Sequence, residues 1–414
     1  MEQSQRRIDK RKWFLLLALC SHFFIMVDAE IIKPIVKSIF LTHFSSETLP
    51  YVWLLTIPLN FVVVMCYNRC IAKFGCFRLF LGFSLVTIGV HFFSAFWVAY
   101  LGKASFFLYM WKDIYIMLML HLLWSVINSS VDKKRAKYLY GIFFVVGTFG
   151  GMLGDLMTAQ LAVPWGSERL LLLTAPIYLA LGIAYYWVLK TSTLSDPKHP
   201  IVTTTKGALG DFRLISRSRP LQLILFAVIF MQVSVTVFDY QFTHFLEVEI
   251  PNQDLRSQFL GRLFFFVKGG MLVLQGVAAF LLVQLLGVNR SQVLLPLLLL
   301  INAVGCLIMP TFLVVTCAFG AVKAVEYSIF SIIKEMLYVP LSREEKFKAR
   351  ALVDVFAYRS SKAVASVAIM ILPAAFALTK GAFWLLIALY FGWLLTTYFS
   401  MRQRTRALAN QSRQ

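Results

Sequence analysis

Residues 334–362 read KEMLYVPLSREEKFKARALVDVFAYRSSK, a block of alternating charge between two hydrocarbon runs, Phe312–Ile333 and Ala351–Leu378. A soluble helix mixes charged and apolar residues along its whole length. Here the two are segregated into runs of about 20 apolar residues, the length that crosses the hydrocarbon of a bilayer. The charged block therefore reads as the polar connection between two membrane helices. Arg359 and Lys362 fall inside the second run, not at its edge. A charge at mid-bilayer costs on the order of 2.5–3.5 kcal/mol, so such residues face a wet cavity or a partner.

The same segregation extends over the chain. Of 414 residues, 59% are hydrophobic and 14% charged, against roughly a quarter charged in soluble domains. Apolar runs predict twelve transmembrane helices over 13–38, 49–67, 79–100, 105–128, 138–162, 169–190, 221–247, 259–286, 291–309, 312–333, 351–378 and 381–400. The fold class is an all-α, multi-pass membrane protein. The segment 191–220, with Pro197, Pro200 and several basic residues, is expected to be a linker. It separates a six-helix half over 13–190 from a second over 221–400, with tails at 1–12 and 401–414.

The net charge of +20 raises the question of nucleic acid, but its placement answers differently. Arg6, Arg7, Lys10, Arg11 and Lys12 precede the first run, and Arg69, Lys73 and Arg78, then Lys133, Lys134, Arg135 and Lys137, fill alternate loops. The intervening loops, such as 43–47 and 247–256, are nearly free of net positive charge. That alternation is the positive-inside pattern and predicts cytoplasmic termini. The partners expected are the lipid bilayer and a small-molecule anion, with no nucleic acid. The apolar run at the N-terminus has no clean cleavage site and reads as a retained helix. Six cysteines show no metal-like spacing and read as small apolar residues. No Walker A motif, dinucleotide fingerprint, HExxH or nucleophile elbow is present, so no catalytic centre, metal or cofactor is predicted.

Short loops repeat at one offset. Gly75-Cys76-Phe77-Arg78 matches Gly287-Val288-Asn289-Arg290, and Arg135-Ala136-Lys137 matches Lys348-Ala349-Arg350, both near a separation of 212. Duplicated halves of this kind are common in transporters. At the same offset Asp28 meets Asp239 and Asp113 meets Glu326, two pairs of acids within predicted spans. The spans also hold Lys33, Lys37, Lys112, Asp155, Arg262, Lys268, Lys323, Asp354, Arg359 and Lys362. Lys112 adjoins Asp113, Lys323 lies three residues before Glu326, and Asp354, Tyr358 and Lys362 share a helix face. These charges read either as interhelical ion pairs or as a ligand-contacting set. The excess of bases favours an anionic substrate, phosphate or carboxylate. Trp111, Tyr115, Trp124, Tyr240, Tyr327 and Tyr358 read as base-stacking candidates or as packing. Gly147, Gly150, Gly151 and Gly154 form two interleaved GxxxG patterns, which predict close helix contact.

The block Lys334–Leu341 (KEMLYVPL), with Lys348-Ala349-Arg350, Asp354 and Arg359-Ser360-Ser361-Lys362, resembles the nucleotide transporter family of plastids and intracellular bacteria (the ATP/ADP translocases). That family reads KEMAYIPL, a basic KxK or KAK segment, ID and RxGK. Leu123–Asn128 (LWSVIN) and Ser46–Pro50 (SETLP), downstream of Lys37, are similar to two further family motifs. The resemblance implies a twelve-helix, major-facilitator-like bundle whose first, fourth, seventh and tenth helices line the cavity. It also implies functional charges at Lys37, Asp113, Asp239 and Lys362. The chain departs at Ser38, where the family has Asp, at Ser361, where it has Gly, and at Glu326, where many members have Lys.

The resulting expectation is a transporter of a nucleotide or related phosphorylated anion, working by alternating access. Lys37, Lys323, Arg359 and Lys362, with Asp113 and Asp239, are the candidate substrate-binding residues. Asp28, Glu326 and Asp354 are the candidate coupling or gating residues. The alternatives are a transporter of a non-nucleotide organic anion or zwitterion, and a transport-inactive scaffold or receptor.

Overall fold

The computed structural model describes residues 2–131, 133–192, 219–280, 287–338, 358–372 and 380–411. Within them the chain is helical, with eleven helices long and apolar enough to cross a membrane and one shorter apolar helix. In chain order the spans are α1 (Lys12–His43), α2 (Ser46–Ile71), α3 (Lys73–Trp97), α4 (Ala104–Asn128), α5 (Leu139–Trp165) and α6 (Ser167–Thr191). They continue as α7 (Leu221–Glu249), α8 (Gln253–Val277), α9 (Arg290–Ile308), α10 (Phe312–Tyr338), α11 (Ser360–Ile371) and α12 (Lys380–Tyr398). Each of the twelve predicted runs overlaps one of these. Residues 193–218 of the predicted linker (191–220) and the signature residues 339–357, Asp354 among them, lie outside the described residues.

Helix is the required solution here, because a lipid-exposed backbone must satisfy its own hydrogen bonds. Large apolar side chains accordingly remain exposed along the spans, including Leu85, Phe92, Leu179, Ile183, Val273, Ile301 and Leu313. Hydroxyls inside the spans fold back onto their own helix: Thr42 donates to the Ser38 carbonyl at 3.0 Å and Ser366 to that of Lys362 at 2.8 Å. Glycine makes the breaks where φ must be positive. Gly75 (φ 77°, ψ 169°) interrupts the helix near the α2–α3 junction, and Gly166 (φ 85°) separates α5 from α6. Asn252 caps α8 by accepting from the amides of Asp254 and Leu255, both at 3.0 Å.

The chain divides into two compact units. The first comprises residues 1–45, 58–202 and 250–268, and the second 46–57, 203–249 and 269–414. In the first, the α5 glycines seat that helix on the backbone of α1. A Cβ on Gly150 would stand 2.7 Å from the Phe23 carbonyl, and one on Gly154 would strike that of Val27. A Cβ on Gly261 of α8 would be equally tight, 2.7 Å from the Asp155 carbonyl oxygen and the Ala159 amide nitrogen. The close contact expected from the GxxxG patterns is thus made, with α1 as the partner of those glycines.

In the second unit Phe242 stacks on Phe319, centroids 4.4 Å apart and planes 3° from parallel. A π-turn over Glu326–Phe330 interrupts α10. Such turns are rare and recur at functional sites.

Candidate functional site

Within the first unit, α1 carries Asp28, Glu30, Lys33 and Lys37 within three turns, and all but Lys33 are buried. Lys37 is 7% exposed. On α4, Lys112 is buried and pairs with Asp113 at 2.9 Å, its ammonium 3.9 Å from the centre of the Tyr109 ring. Asp113 is the more exposed of the pair. Among the described residues Asp28 makes no pair of this kind. Its Oδ2 accepts from the Tyr115 hydroxyl at 2.9 Å.

The strongest charge cluster of this unit joins α1, α5 and α8. The Lys268 ammonium lies 2.5 Å from Asp155 Oδ2 and 3.0 Å from Glu30 Oε2, while Glu30 Oε1 takes Lys33 at 2.6 Å. Asp155 is fully buried. Two acids and two bases balance, so the cluster offers no net attraction to an anion and acts as a neutral tie between spans. A Cβ on Gly151 would stand 3.0 Å from Lys268 Cε and 3.2 Å from Glu30 Cγ. The glycine therefore makes room for the ion pair as well as for α1. Sequence reasoning picked out Asp155 and Lys268 as charges within spans but missed Glu30. Its place three residues before Lys33 was the available signal.

Within the second unit the π-turn of α10 aims Glu326 inward. Its Oε1 accepts from Gln232 Nε2 at 2.8 Å and its Oε2 pairs with Lys323 at 3.2 Å. Glu326 is 5% exposed. The i,i+3 pair read from the sequence is therefore made, with Gln232 of α7 as an unread third member. The Lys323 ammonium also lies 5.8 Å from the Tyr327 ring centre. Lys362, on α11, places its ammonium 4.8 Å from the ring centre of buried Trp53. This is a cation–π arrangement between a base of the short apolar helix and a buried ring. Asp239, on α7, is half-buried, with the Thr243 hydroxyl 3.5 Å from its Oδ1. Arg359 stands in the first turn of the helix Tyr358–Ile371.

The structure gives several of the aromatic candidates a packing role. Tyr115 is fully buried, and Trp124 packs edge-on against His22 and Phe143 at 5.8 Å and at a tilt at 5.2 Å respectively. Tyr327 is exposed beside Lys323. Among the described residues no group of three or more His, Cys, Asp and Glu side chains is arranged to hold a metal ion.

Comparison with known proteins supplies the context for these charges. Residues 97–403 match the family model for the TLC ATP/ADP transporter. The chain is 23% identical over 306 residues to ADP,ATP carrier protein 1 of Chlamydia pneumoniae, covering 61% of this chain and 56% of that protein. It is 23% identical over 326 residues to ADP,ATP carrier protein 4 of Rickettsia felis, covering 66% and 63%. The matched region thus spans little more than half the length of the first of these relatives. Among solved structures, the fold is similar to that of the nucleoside transporter NupG, with TM-score 0.65, 10% identity and coverage of 94% of this chain and 98% of that one. It is likewise similar to a bacterial homologue of the iron transporter ferroportin in its inward-facing state, with TM-score 0.68, 11% identity and coverage of 92% and 98%. These likenesses are of fold alone, and the family match covers most of the chain. Spans, fold and family model converge on one assignment: this membrane protein belongs to the TLC ATP/ADP transporter family.

Proposed function

We propose that the chain carries a nucleotide of the ATP/ADP kind, or a closely related phosphorylated anion, across a bacterial inner membrane by alternating access, with both termini on the cytoplasmic side. The observation that carries this reading is the retention of bases inside the spans of a chain from an ATP/ADP transporter family. Lys37 is buried in α1, and Lys362 rests on Trp53 in α11. Hydrocarbon disfavours such charges by several kcal/mol unless they serve a partner. Phosphate oxygens suit such ammonium groups. Lys323 and Arg359 complete the proposed contacts. Asp113 and Asp239 hold bases in place when no ligand is bound, and Glu326 and Asp354 serve gating.

The test is uptake of radiolabelled ATP by cells expressing the chain, with and without a proton uncoupler. Lys37→Ala and Lys362→Ala are expected to reduce uptake to background at unchanged expression. Wild-type rates in both variants would sink the assignment of the site.

Glu326 favours a second reading with the same fold, a non-nucleotide organic anion or zwitterion as cargo. An acid buried beside Lys323 and Gln232 is a natural partner for a substrate amine. Thermal stabilisation of the purified protein by amino acids or organic acids, and not by nucleotides, would select this alternative.

A further inference from the structure

Two deeply buried acids of the first unit are compensated in opposite ways. Asp155 has the Lys268 ammonium against it. Asp28, 1% exposed, has no basic side chain within ion-pair distance among the described residues. Its Oδ2 accepts from Tyr115 at 2.9 Å, and its Oδ1 has no hydrogen-bond partner among the described residues.

The groups around Asp28 come from three other spans and none brings a fixed positive charge. The Thr174 side chain of α6 faces the same carboxyl group, and Thr174 Oγ1 lies 2.8 Å from His91 Nδ1 of α3. The His91 ring stands edge-on to Tyr115 at 5.1 Å, and Tyr178 of α6 stands edge-on to Tyr115 at 6.5 Å. His91 Nε2 and the Tyr178 hydroxyl are buried without hydrogen-bond partners among the described residues. The acid nearest Tyr115 along α4 is Asp113, which is occupied by Lys112.

A bare carboxylate sealed from water costs several kcal/mol unless a cation or several donors meet it. One phenolic O–H is a poor substitute for an ammonium. A proton on Oδ1 removes the charge at its source and leaves Oδ2 as the acceptor that Tyr115 requires. We propose that Asp28 is a proton-binding site of the transport cycle, occupied as the carboxylic acid in this conformation. It ionises when the cycle admits water to it, the proton passing to solvent. The His91–Thr174 hydrogen bond forms a polar route to the carboxyl group. The role in coupling rests on the transport reading above, whereas the protonation state does not.

Infrared difference spectroscopy of the purified full chain at neutral pH tests the protonation state without any substrate. A carboxylic-acid carbonyl band is expected in the wild type, lost in Asp28→Asn and displaced to a different frequency in Tyr115→Phe. A spectrum unchanged in that region by either substitution would overturn the proposal. Proteoliposomes then test coupling with ATP as the probe. Asp28→Asn is expected to retain ATP counterflow and lose accumulation driven by an imposed pH gradient. Gradient-driven accumulation equal to wild type would overturn the coupling role. If wild-type chain moves no ATP, the nucleotide reading fails while the infrared result still decides the proton site.

Discussion

Lys268 is the residue on which the charge balance of the first unit turns. Its ammonium answers both Asp155, fully buried, and Glu30, 6% exposed. Replacing it with alanine strands Asp155 in a low-dielectric setting and leaves Glu30 with Lys33 alone, and breaking a buried pair in this way costs about 3–5 kcal/mol. Lys268→Ala is therefore expected to lower the unfolding temperature of the purified protein sharply. The uncharged triple variant Glu30→Gln, Asp155→Asn, Lys268→Met should recover most of that loss, because the penalty comes from unpaired charge rather than from missing bulk. A single alanine variant as stable as wild type would show that the tie carries no energy. The residue scale is also where the sequence was legible only in part. Lys112–Asp113 and Lys323–Glu326 are neighbours along one helix, so spacing alone reveals them. Asp155 and Lys268 are 113 residues apart, and no local periodicity connects residues that only the packing of α5 on α8 brings together. Gln232 beside Glu326 was hidden for the same reason.

At the scale of elements, α5 contrasts glycines that are indispensable with one that is not. The interleaved GxxxG patterns were plain in the sequence and announced a close contact, but they did not name the partner helix. That depends on which backbone carbonyls face the groove, here those of Phe23 and Val27. A methyl group at Gly150 would press on a carbonyl oxygen fixed in the α1 backbone, which moves only if the helices separate. Gly150→Ala is expected to cost about 1–3 kcal/mol, the usual penalty of overpacking. Gly141, on the same helix, has nothing within 4 Å of its added Cβ, so Gly141→Ala should be neutral or stabilise by up to about 1 kcal/mol through helix propensity. Equal effects at the two positions, measured by thermal unfolding, would mean that the α1–α5 contact is not close. The π-turn of α10 marks the other limit of legibility. Its sequence, Glu326–Phe330, is ordinary helical sequence, and the extra residue per turn appears only in the folded hydrogen-bond pattern.

For the whole molecule, the spans were legible because hydrocarbon thickness imposes one length on every helix, and short polar turns mark where each ends. Orientation follows from a weaker bias, the retention of Lys and Arg on the cytoplasmic side during insertion. Arg69, Lys73 and Arg78 flank the α2–α3 junction, whereas the α3–α4 connection offers Lys103 alone and the α9–α10 connection, around Met309 and Pro310, offers no basic residue. Each passage through the membrane reverses the side, so these three connections must obey one alternation if the chain inserts as proposed. Tyr100 and Met309 are well exposed in their connections. In a background lacking the native cysteines, Tyr100→Cys and Met309→Cys are expected to react in intact cells with a maleimide that cannot cross the membrane. Lys73→Cys should react only after permeabilisation. The opposite pattern would invert the topology. A mixed pattern, with positions 100 and 309 on different sides, would break the alternation itself, because α4 to α9 are six crossings and an even number must return the chain to the side from which it started.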